Sequence, residues 1–336
     1  MTFATRTLEI HSPGLRFDQV LLCELKLEYP CISRAWLKKQ FQAGRIRIQT
    51  QVAKPSLLLN PGLLEVQLSN DLLDELKNLE TPALKSWTPP PAQISILHED
   101  DQLLILNKPE GLPSVPLDHS DTPTAVGLAL THCPALCSIG RSPFESGLVH
   151  RLDTGTSGLL AFAKTQDEYQ RLRSIWKTGQ VRKIYRAWVT GSEPFPPLPH
   201  PIQTPLAHSK KSSKKMIAWT PERAHQARGG ALPTQTLIQS IEAQVSSGLT
   251  PERSARFDLQ IQIQTGVRHQ IRCHLSLLGY PILGDPVYAG KPASRLFLHA
   301  FELILPTAKG SLLALQAPLP NNWSNPDEVK PTALKS

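Results

Sequence analysis

The sequence predicts an α+β protein of two domains. Strand and helix patterns alternate along the chain: apolar residues recur at every second position over 257–263 and at helical spacing over 271–278. The length of 336 residues corresponds to two domains of roughly 150 residues each. Three consecutive prolines at 89–91 favour an extended linker. We therefore expect a small domain at 1–80, a linker at 81–92, a larger domain at 93–323 and a polar tail at 324–336.

The composition limits the class of protein. Hydrophobic residues make up 40% of the chain and charged residues 19%, which is typical of a folded protein with a sizeable core. The 36 basic residues exceed the 28 acidic ones, which favours a nucleic acid or an acidic membrane surface as a partner, although a basic protein with neither partner would show the same excess. No apolar run approaches the roughly 18 residues of a spanning helix, and no secretory signal is evident. Five irregularly spaced cysteines match neither a disulfide framework nor a zinc pattern, so we expect a cytoplasmic protein without a metal.

The N-terminal domain contains a basic segment at 31–54 without an acidic residue. Its pattern predicts a helix over 33–42, ended by Gly44, and a short β-hairpin over 46–52. A basic helix beside a basic hairpin is either a surface that follows phosphates or an ordinary solvated face, and charge alone does not distinguish the two. The basic residues of the segment are Arg34, Lys38, Lys39, Arg45, Arg47 and Lys54.

The first candidate for chemistry is the segment GLVHRLDTGTSGLLAFAKT at 147–165. A glycine-rich turn between its apolar ends contains His150, Arg151 and Asp153. An arginine two residues before an aspartate favours the charged carboxylate, because a neighbouring cation stabilises the anion. The alternative is an ion pair that only holds the fold, which is the commoner role of such a pair.

A second segment, VRKIYRAWVTG at 181–191, alternates as a strand and contains Tyr185. A tyrosine on a strand is usually a core residue with a satisfied hydroxyl, but it can also stack on a base or handle a proton. The segment that follows, 192–217, is rich in proline, serine and lysine. We expect it to be irregular.

The third segment, 257–290, predicts a strand, a turn at Thr265-Gly266 and a helix closed by Gly279. Arg268 and Arg272 are four residues apart and should therefore lie on one face of this helix. Two like charges on one face repel each other unless an anion lies between them, so a carboxylate or a phosphate is expected there. Two solvated arginines are the alternative.

Residues 14–25, 33–48 and 52–62 together resemble the S4 RNA-binding domain. Where that module usually has an Asn-Gly turn, this chain has Gln49-Thr50, and Leu63 stands where an acidic residue is usual. The resemblance implies a small α/β module that binds RNA. Arg34, Lys38 and Lys39 are then the candidates for RNA contact.

The three segments of the larger domain resemble the motifs of the RluA-type pseudouridine synthases, in the order and spacing of that family. The likeness extends to residues 107–116, 214–216, 298–306 and 317–323. It implies an α+β catalytic domain with a mixed, mainly antiparallel sheet and flanking helices. It also implies that the protein isomerises specific uridines of RNA to pseudouridine, as a monomer and without a cofactor.

The resemblance also assigns roles to residues. By position, Asp153 matches the essential aspartate, Arg151 the arginine before it, Tyr185 the active-site tyrosine and Arg272 the basic partner of the aspartate. The carboxylate would assist cleavage of the glycosidic bond by attacking the sugar, by attacking the base or by taking a sugar proton, and the sequence leaves these three open. The residues expected to contact the substrate in this domain are His150, Lys210, Lys211, Arg268 and His269.

The target RNA is predicted from the domain organisation. A separate RNA-binding module is superfluous for a short stem-loop but helps on a large folded RNA, which favours large-subunit ribosomal RNA. Transfer RNA is the alternative substrate, and an RNA-binding or assembly factor on the same scaffold is the alternative from another class. A serine hydrolase is excluded because TGTSG at 154–158 lacks the G-x-S-x-G pattern.

Overall fold

A computed structural model of the chain describes residues 2–10, 13–29, 32, 34–79, 95–115, 123–140, 146–246 and 254–324. The chain divides into two compact units. The first contains Met1–Gln93, Val115–Leu148 and Lys164–Gln166, and the second contains Ile94–Ser114, Val149–Ala163 and Asp167–Ser336. The predicted linker at 81–92 and all but the first residue of the predicted tail lie outside the described residues.

The N-terminal part of the first unit contains a four-stranded antiparallel sheet in the order β1-β6-β3-β4 and a short β2-β5 ladder. Its core is made of buried aliphatic and aromatic side chains such as Phe17, Leu37 and Leu68. The elements are β1 (Phe3–Ile10), β2 (Leu15–Arg16), α1 (Phe17–Glu28), α2 (Arg34–Gln42), β3 (Ile46–Ile48), β4 (Gln51–Val52), β5 (Leu58–Leu59), β6 (Gly62–Ser69) and α3 (Asn70–Leu79). The helix α4 (Ala125–His132) and a 3-10 helix at Pro134–Ser138 also belong to this unit.

The helix and hairpin predicted for the basic segment are confirmed. After α2, Gly44 adopts a φ of 67°, a left-handed conformation that glycine takes without strain and that ends the helix. Strands β3 and β4 then pair as an antiparallel hairpin, with Arg47 opposite Val52. Ser33, the first residue of the predicted helix, lies outside the described residues.

The second unit is built on a nine-stranded sheet in the order β11-β15-β16-β10-β17-β9-β8-β7, with β18 paired to β17. Its elements are β7 (Ser95–Glu99), β8 (Leu103–Lys108), β9 (Ser157–Ala163), α5 (Gln166–Lys177), β10 (Arg182–Ser192), β11 (His200–Ile202), β12 (Leu206–Ser209), β13 (Met216–Ala218), β14 (Ala227–Leu232), β15 (Thr236–Ser246), β16 (Ser254–Ile263), α6 (Gln270–Leu277), β17 (Leu298–Pro306) and β18 (Leu312–Gln316). β9 and β17 are parallel, and the other described pairs of this sheet are antiparallel. The predicted α+β class with a mixed, mainly antiparallel sheet is confirmed.

The parallel pair depends on a glycine. Gly158 has a φ of 111°, and a Cβ at this position would lie 2.2 Å from the carbonyl oxygen of Ala300 on β17. Only glycine therefore allows β9 to approach β17 this closely. The turn that carries Asp153 leads into β9 at this point.

The prediction of an irregular segment at 192–217 is wrong. The segment contains β11, β12 and the start of β13, and β12 pairs antiparallel with both β13 and β14 in a separate three-stranded sheet. Leu206, Ala207 and Met216 are buried there, so short strands with a few core residues alternate with turns that are rich in proline, serine and lysine.

Among the helices that the structure describes, none has the length and apolar character of a membrane-spanning segment.

Candidate active site

Three segments of the second unit meet around the carboxylate of Asp153. The turn before β9 carries Asp153 itself, β10 carries Tyr185, and the start of α6 carries His269 and Arg272. In the sheet, β10 and β9 both pair with β17. Residues that are far apart in the sequence therefore lie near one end of neighbouring strands.

Arg272 joins two carboxylates. Its Nη1 donates to Oδ2 of Asp153 at 3.0 Å, while Nε and Nη2 donate to the two oxygens of Asp285 at 2.7 and 2.9 Å. The side chains of Arg272 and Asp285 are 7% and 0% exposed, whereas that of Asp153 is 25% exposed. Asp285 is thus the buried counter-ion, and Arg272 presents an N–H group of Nη1 to a carboxylate that a ligand can reach.

The protonation states in this cluster follow from its contacts. Burial alone would raise the pKa of Asp285, but the bonds from Arg272 and from the backbone N–H groups of Val287 and Tyr288 outweigh it and lower the pKa. Burial would lower the pKa of Arg272, but the two carboxylates raise it. Both partners of the buried pair are therefore charged.

Tyr185 lies buried in the sheet beside this cluster. Burial raises the pKa of its hydroxyl, and the charge of Asp153 raises it further. The hydroxyl makes no hydrogen bond to the part of the chain that the structure describes, so it is available to a ligand as a neutral donor or acceptor.

The turn that carries Asp153 is held from both sides. Nζ of Lys108, which is fully buried, donates to the carbonyl oxygens of Pro109, Leu112 and Thr154 at 2.8, 2.7 and 3.2 Å. On the other side, Oγ of Ser114 donates to the carbonyl oxygen of Leu152 at 2.8 Å. Burial lowers the pKa of Lys108 to about 7, and the charge of Asp153 opposes this shift.

Lys108, Ser114, Asp285 and Tyr288 were not among the predicted site residues. Lys108 and Ser114 lie in the segment 107–116, which was recognised only as part of the family pattern. Asp285 and Tyr288 lie in the predicted third segment, after its helix. A buried acid is uncommon unless it is paired, but burial is not visible in the sequence.

The alternative reading of the local pattern, an ion pair between Arg151 and Asp153, is not what the structure shows. The side chain of Arg151 is exposed and forms no ion pair with the described residues, while the carboxylate of Asp153 turns toward Arg272. Arg272 is therefore the partner that the family resemblance implied. The arginine that is nearest to Asp153 in the sequence is not its partner, because Asp285 already orients the guanidinium of Arg272 toward Asp153.

The prediction that Arg268 and Arg272 lie on one helix face is also wrong. Helix α6 begins at Gln270, so Arg268 precedes it, and His269 between them adopts a left-handed backbone with a φ of 53°. Arg268 is exposed and donates through Nη1 to the carbonyl oxygen of Ser213 at 2.9 Å. The repulsion expected between the two arginines does not arise, and the anion beside Arg272 is supplied by the protein.

His150 makes its contacts with β9 and α5. Its Nε2 accepts the backbone N–H of Ala161 at 3.2 Å, and its ring stacks on Trp176 with 5.0 Å between the centroids. Burial lowers the pKa of His150 to about 3, and the charge of Lys183 contributes. The imidazole is a neutral packing residue.

The remaining basic candidates lie on surfaces. Lys210 and Lys211 are exposed in the turn between β12 and β13. Lys38 and Lys39 are exposed on α2 of the first unit, and the side chain of Arg34 lies outside the described residues.

Comparisons with known proteins identify the family to which the chain belongs. Residues 102–277, just over half of the chain, match the model of the RNA pseudouridylate synthase family. A ribosomal large subunit pseudouridine synthase D from Neisseria meningitidis is 28% identical over 334 residues, which cover 94% of this chain and 79% of the relative. The protein of the same name from Zymomonas mobilis is 32% identical over 291 residues, or 84% of each chain.

The solved structure of human RNA pseudouridylate synthase domain containing 1 has the same fold, with a TM-score of 0.51 and 23% identity, and covers 67% of this chain and 83% of that one. The chain belongs to the RNA pseudouridylate synthase family. It is an isomerase that acts on RNA, and the predicted RluA-type resemblance is confirmed.

The buried pair of Arg272 and Asp285 predicts a large loss of stability when Arg272 is replaced. Arg272→Leu leaves the charge of Asp285 buried and unpaired, so the free energy of unfolding should fall by about 3–5 kcal/mol. Arg268→Leu is the matched control, because Arg268 is exposed and should cost less than ~1 kcal/mol. Urea unfolding of both variants measures this difference. Equal losses would show that Asp285 does not need Arg272.

The depressed pKa of His150 predicts a specific loss of stability in acid. Below the usual value of 6.5, the unfolded chain binds a proton that the folded chain binds only near a pKa of about 3. The stabilisation from a neutral His150 is therefore complete above 6.5 and decreases as the pH falls toward 3. In His150→Gln, the unfolding free energy should fall by about 2 kcal/mol less than in the wild type between about pH 7 and about pH 5.

Urea unfolding at the two pH values measures this difference. The exposed His225, replaced in His225→Gln, is the control and should leave the wild-type pH dependence unchanged. A pH dependence of His150→Gln that equals the wild type would contradict the assignment of His150 as a buried neutral residue.

Proposed function

We propose that the protein converts specific uridines of large-subunit ribosomal RNA to pseudouridine, with Asp153 as the catalytic carboxylate. The names of two relatives, which match most of this chain, support this RNA as the substrate. One observation carries the choice of Asp153. Its carboxylate is the exposed member of a cluster in which Arg272 is already bound to the buried Asp285.

The reaction detaches uracil from its ribose and rejoins the two through C5 of the base, so the composition of the RNA does not change. Because nothing is oxidised and no phosphate is consumed, the balance of the reaction requires no cofactor. An ionised carboxylate at the end of the sheet assists cleavage of the glycosidic bond. Arg272 holds Asp153 in its orientation, since it donates to Oδ2 and is itself held by Asp285.

The detached uracil has to stay in place while it turns toward its C5 atom. Tyr185 supplies an aromatic face and a free hydroxyl beside Asp153, and both suit a base that is held by stacking while the C5 proton leaves. A stacked uridine is inaccessible to such a buried site, so the target nucleotide is flipped out of its helix. The exposed Arg151 is available to bind a phosphate of the RNA or to fill the space that the flipped base leaves in the stack.

Two basic surfaces are proposed to bind the rest of the RNA. In the second unit, the turn between β12 and β13 exposes Lys210, Lys211, Lys214 and Lys215. In the first unit, α2 exposes Lys38 and Lys39. We assign residues 1–80 as an S4-like RNA-binding domain and residues 93–323 as the catalytic domain. We also propose that the protein acts as a monomer, and a ribosomal substrate favours the cytoplasm as its location.

Asp153→Asn should abolish product formation and leave the affinity for RNA equal or higher. The substitution keeps the shape of the side chain but removes a negative charge that faces phosphates. Tritium released from C5 of labelled uridine in RNA measures turnover, and filter binding measures affinity. Asp101→Asn, in an exposed turn, is the control and should have normal turnover. Appreciable turnover by Asp153→Asn would remove Asp153 from the chemistry.

The RNA class is tested by mapping pseudouridine in total RNA from cells with and without the gene. We expect specific sites to disappear from large-subunit ribosomal RNA, and re-expression of the wild type but not of Asp153→Asn should restore them. Loss of sites from transfer RNA instead would establish the alternative substrate. A phenotype that Asp153→Asn rescues would favour an assembly role independent of catalysis.

A further inference from the structure

Tyr288 contacts residues of the proposed active site and of the basic turn between β12 and β13. Its buried ring meets the ring of His269 edge-on at 5.6 Å, and the guanidinium of Arg272 lies 5.4 Å from its centroid. Nζ of Lys215, from the basic turn between β12 and β13, lies 5.5 Å from the same centroid. The hydroxyl of Tyr288 has two hydrogen-bond partners, the backbone N–H of Met216 at 2.8 Å and Nδ1 of His269 at 3.1 Å.

The directions of these two bonds follow from their chemistry. A backbone N–H can only donate, so the oxygen of Tyr288 accepts from Met216. This oxygen could also accept from Nδ1 of His269, but that tautomer would turn an unprotonated Nε2 toward Oδ2 of Asp153, so we assign the proton of Tyr288 to the bond with Nδ1. Burial lowers the pKa of His269 to about 4; the charge of Asp153 opposes this shift, and the charges of Arg272 and Arg268 add to it. The imidazole is therefore neutral near pH 7. With Nδ1 as the acceptor, its single proton is on Nε2.

Nε2 of His269 faces Asp153. It lies 3.7 Å from Oδ2, the same oxygen that accepts the N–H of Arg272 at 3.0 Å. This separation is slightly longer than a hydrogen bond, and such contacts commonly shorten when the substrate binds. His269 reaches this position through a φ of 53°, which non-glycine residues seldom adopt and which persists only where the surroundings hold it.

We propose that His269 is a positioning residue for Asp153: Tyr288 holds its imidazole in the tautomer that presents Nε2–H to Oδ2, and Oδ1 is thereby left as the reacting oxygen. The inference rests on the proposed role of Asp153 as the catalytic carboxylate. Because Met216 begins β13, the same chain of bonds connects the carboxylate to the hairpin whose turn carries the exposed lysines. The relay is the series of contacts from Met216 through Tyr288 and His269 to Asp153, of which the first two are hydrogen bonds and the last is the 3.7 Å approach of Nε2 to Oδ2.

Removal of one hydroxyl tests the relay. In Tyr288→Phe the ring remains but the tautomer of His269 is no longer fixed, so kcat should fall about tenfold while KM stays within about twofold. Tyr280→Phe is the matched control, because Tyr280 is also buried and donates to a backbone carbonyl oxygen, that of Ser192 at 2.9 Å. It should keep the wild-type kcat. Rates are measured by tritium release at saturating RNA, on protein shown to be folded by circular dichroism.

A double-mutant cycle then asks whether Tyr288 acts through His269. His269→Leu should lower kcat at least as much as Tyr288→Phe, and the second substitution should add nothing in that background. His269→Gln, which keeps an N–H donor near the position of Nε2, should recover most of the kcat that His269→Leu loses. An unchanged kcat in Tyr288→Phe, or two effects that multiply, would overturn the relay.

The two proposals fail in different ways. Turnover by Asp153→Asn would refute the assignment of the carboxylate itself. An inactive Asp153→Asn together with a fully active Tyr288→Phe would leave that assignment intact and refute only the relay. A rise in KM with an unchanged kcat would also refute it, because it would show that Tyr288 and His269 serve only RNA binding.

Discussion

The buried ion pair between Arg272 and Asp285 is the constraint on which the site depends. A buried pair adds little net stability by itself, but neither charge can be left without the other. Asp285 also accepts the backbone N–H groups of Val287 and Tyr288, so the pair fixes the segment after α6 as well as the guanidinium. The N–H of Nη1 of Arg272 then determines where the carboxylate of Asp153 can lie.

The sheet positions the turn that carries Asp153 beside Arg272. Gly158 allows β9 to pair in parallel with β17, and the turn before β9 is held by Lys108 and Ser114 through backbone carbonyl oxygens. These bonds act on main-chain atoms, so they position Asp153 without occupying its side chain. The carboxylate is therefore fixed by its neighbours while one side of it stays accessible.

Few of the ionisable groups near the carboxylate of Asp153 carry a charge near pH 7. Burial lowers the pKa of His269 and His299 to about 4 and that of His150 to about 3. These imidazoles are neutral near pH 7, so the positive charges that act on Asp153 are those of Arg272, which donates to it at 3.0 Å, and of Lys108, whose lowered pKa the charge of Asp153 partly offsets. The neutral histidines contribute hydrogen bonds and packing.

The sequence by itself determined the fold class and the family, because periodicity and motif spacing are local properties that one chain displays, and the family resemblance predicted Asp153, Tyr185 and Arg272 as site residues. It predicted a hairpin and a helix correctly in the basic N-terminal segment for the same reason. Only the tertiary structure decided that Asp285 holds Arg272, that Arg268 lies outside the helix, and that His150 packs on Trp176. These outcomes depend on burial and on side-chain direction across strands distant in the sequence, where the cost of an unpaired buried charge selects the partner.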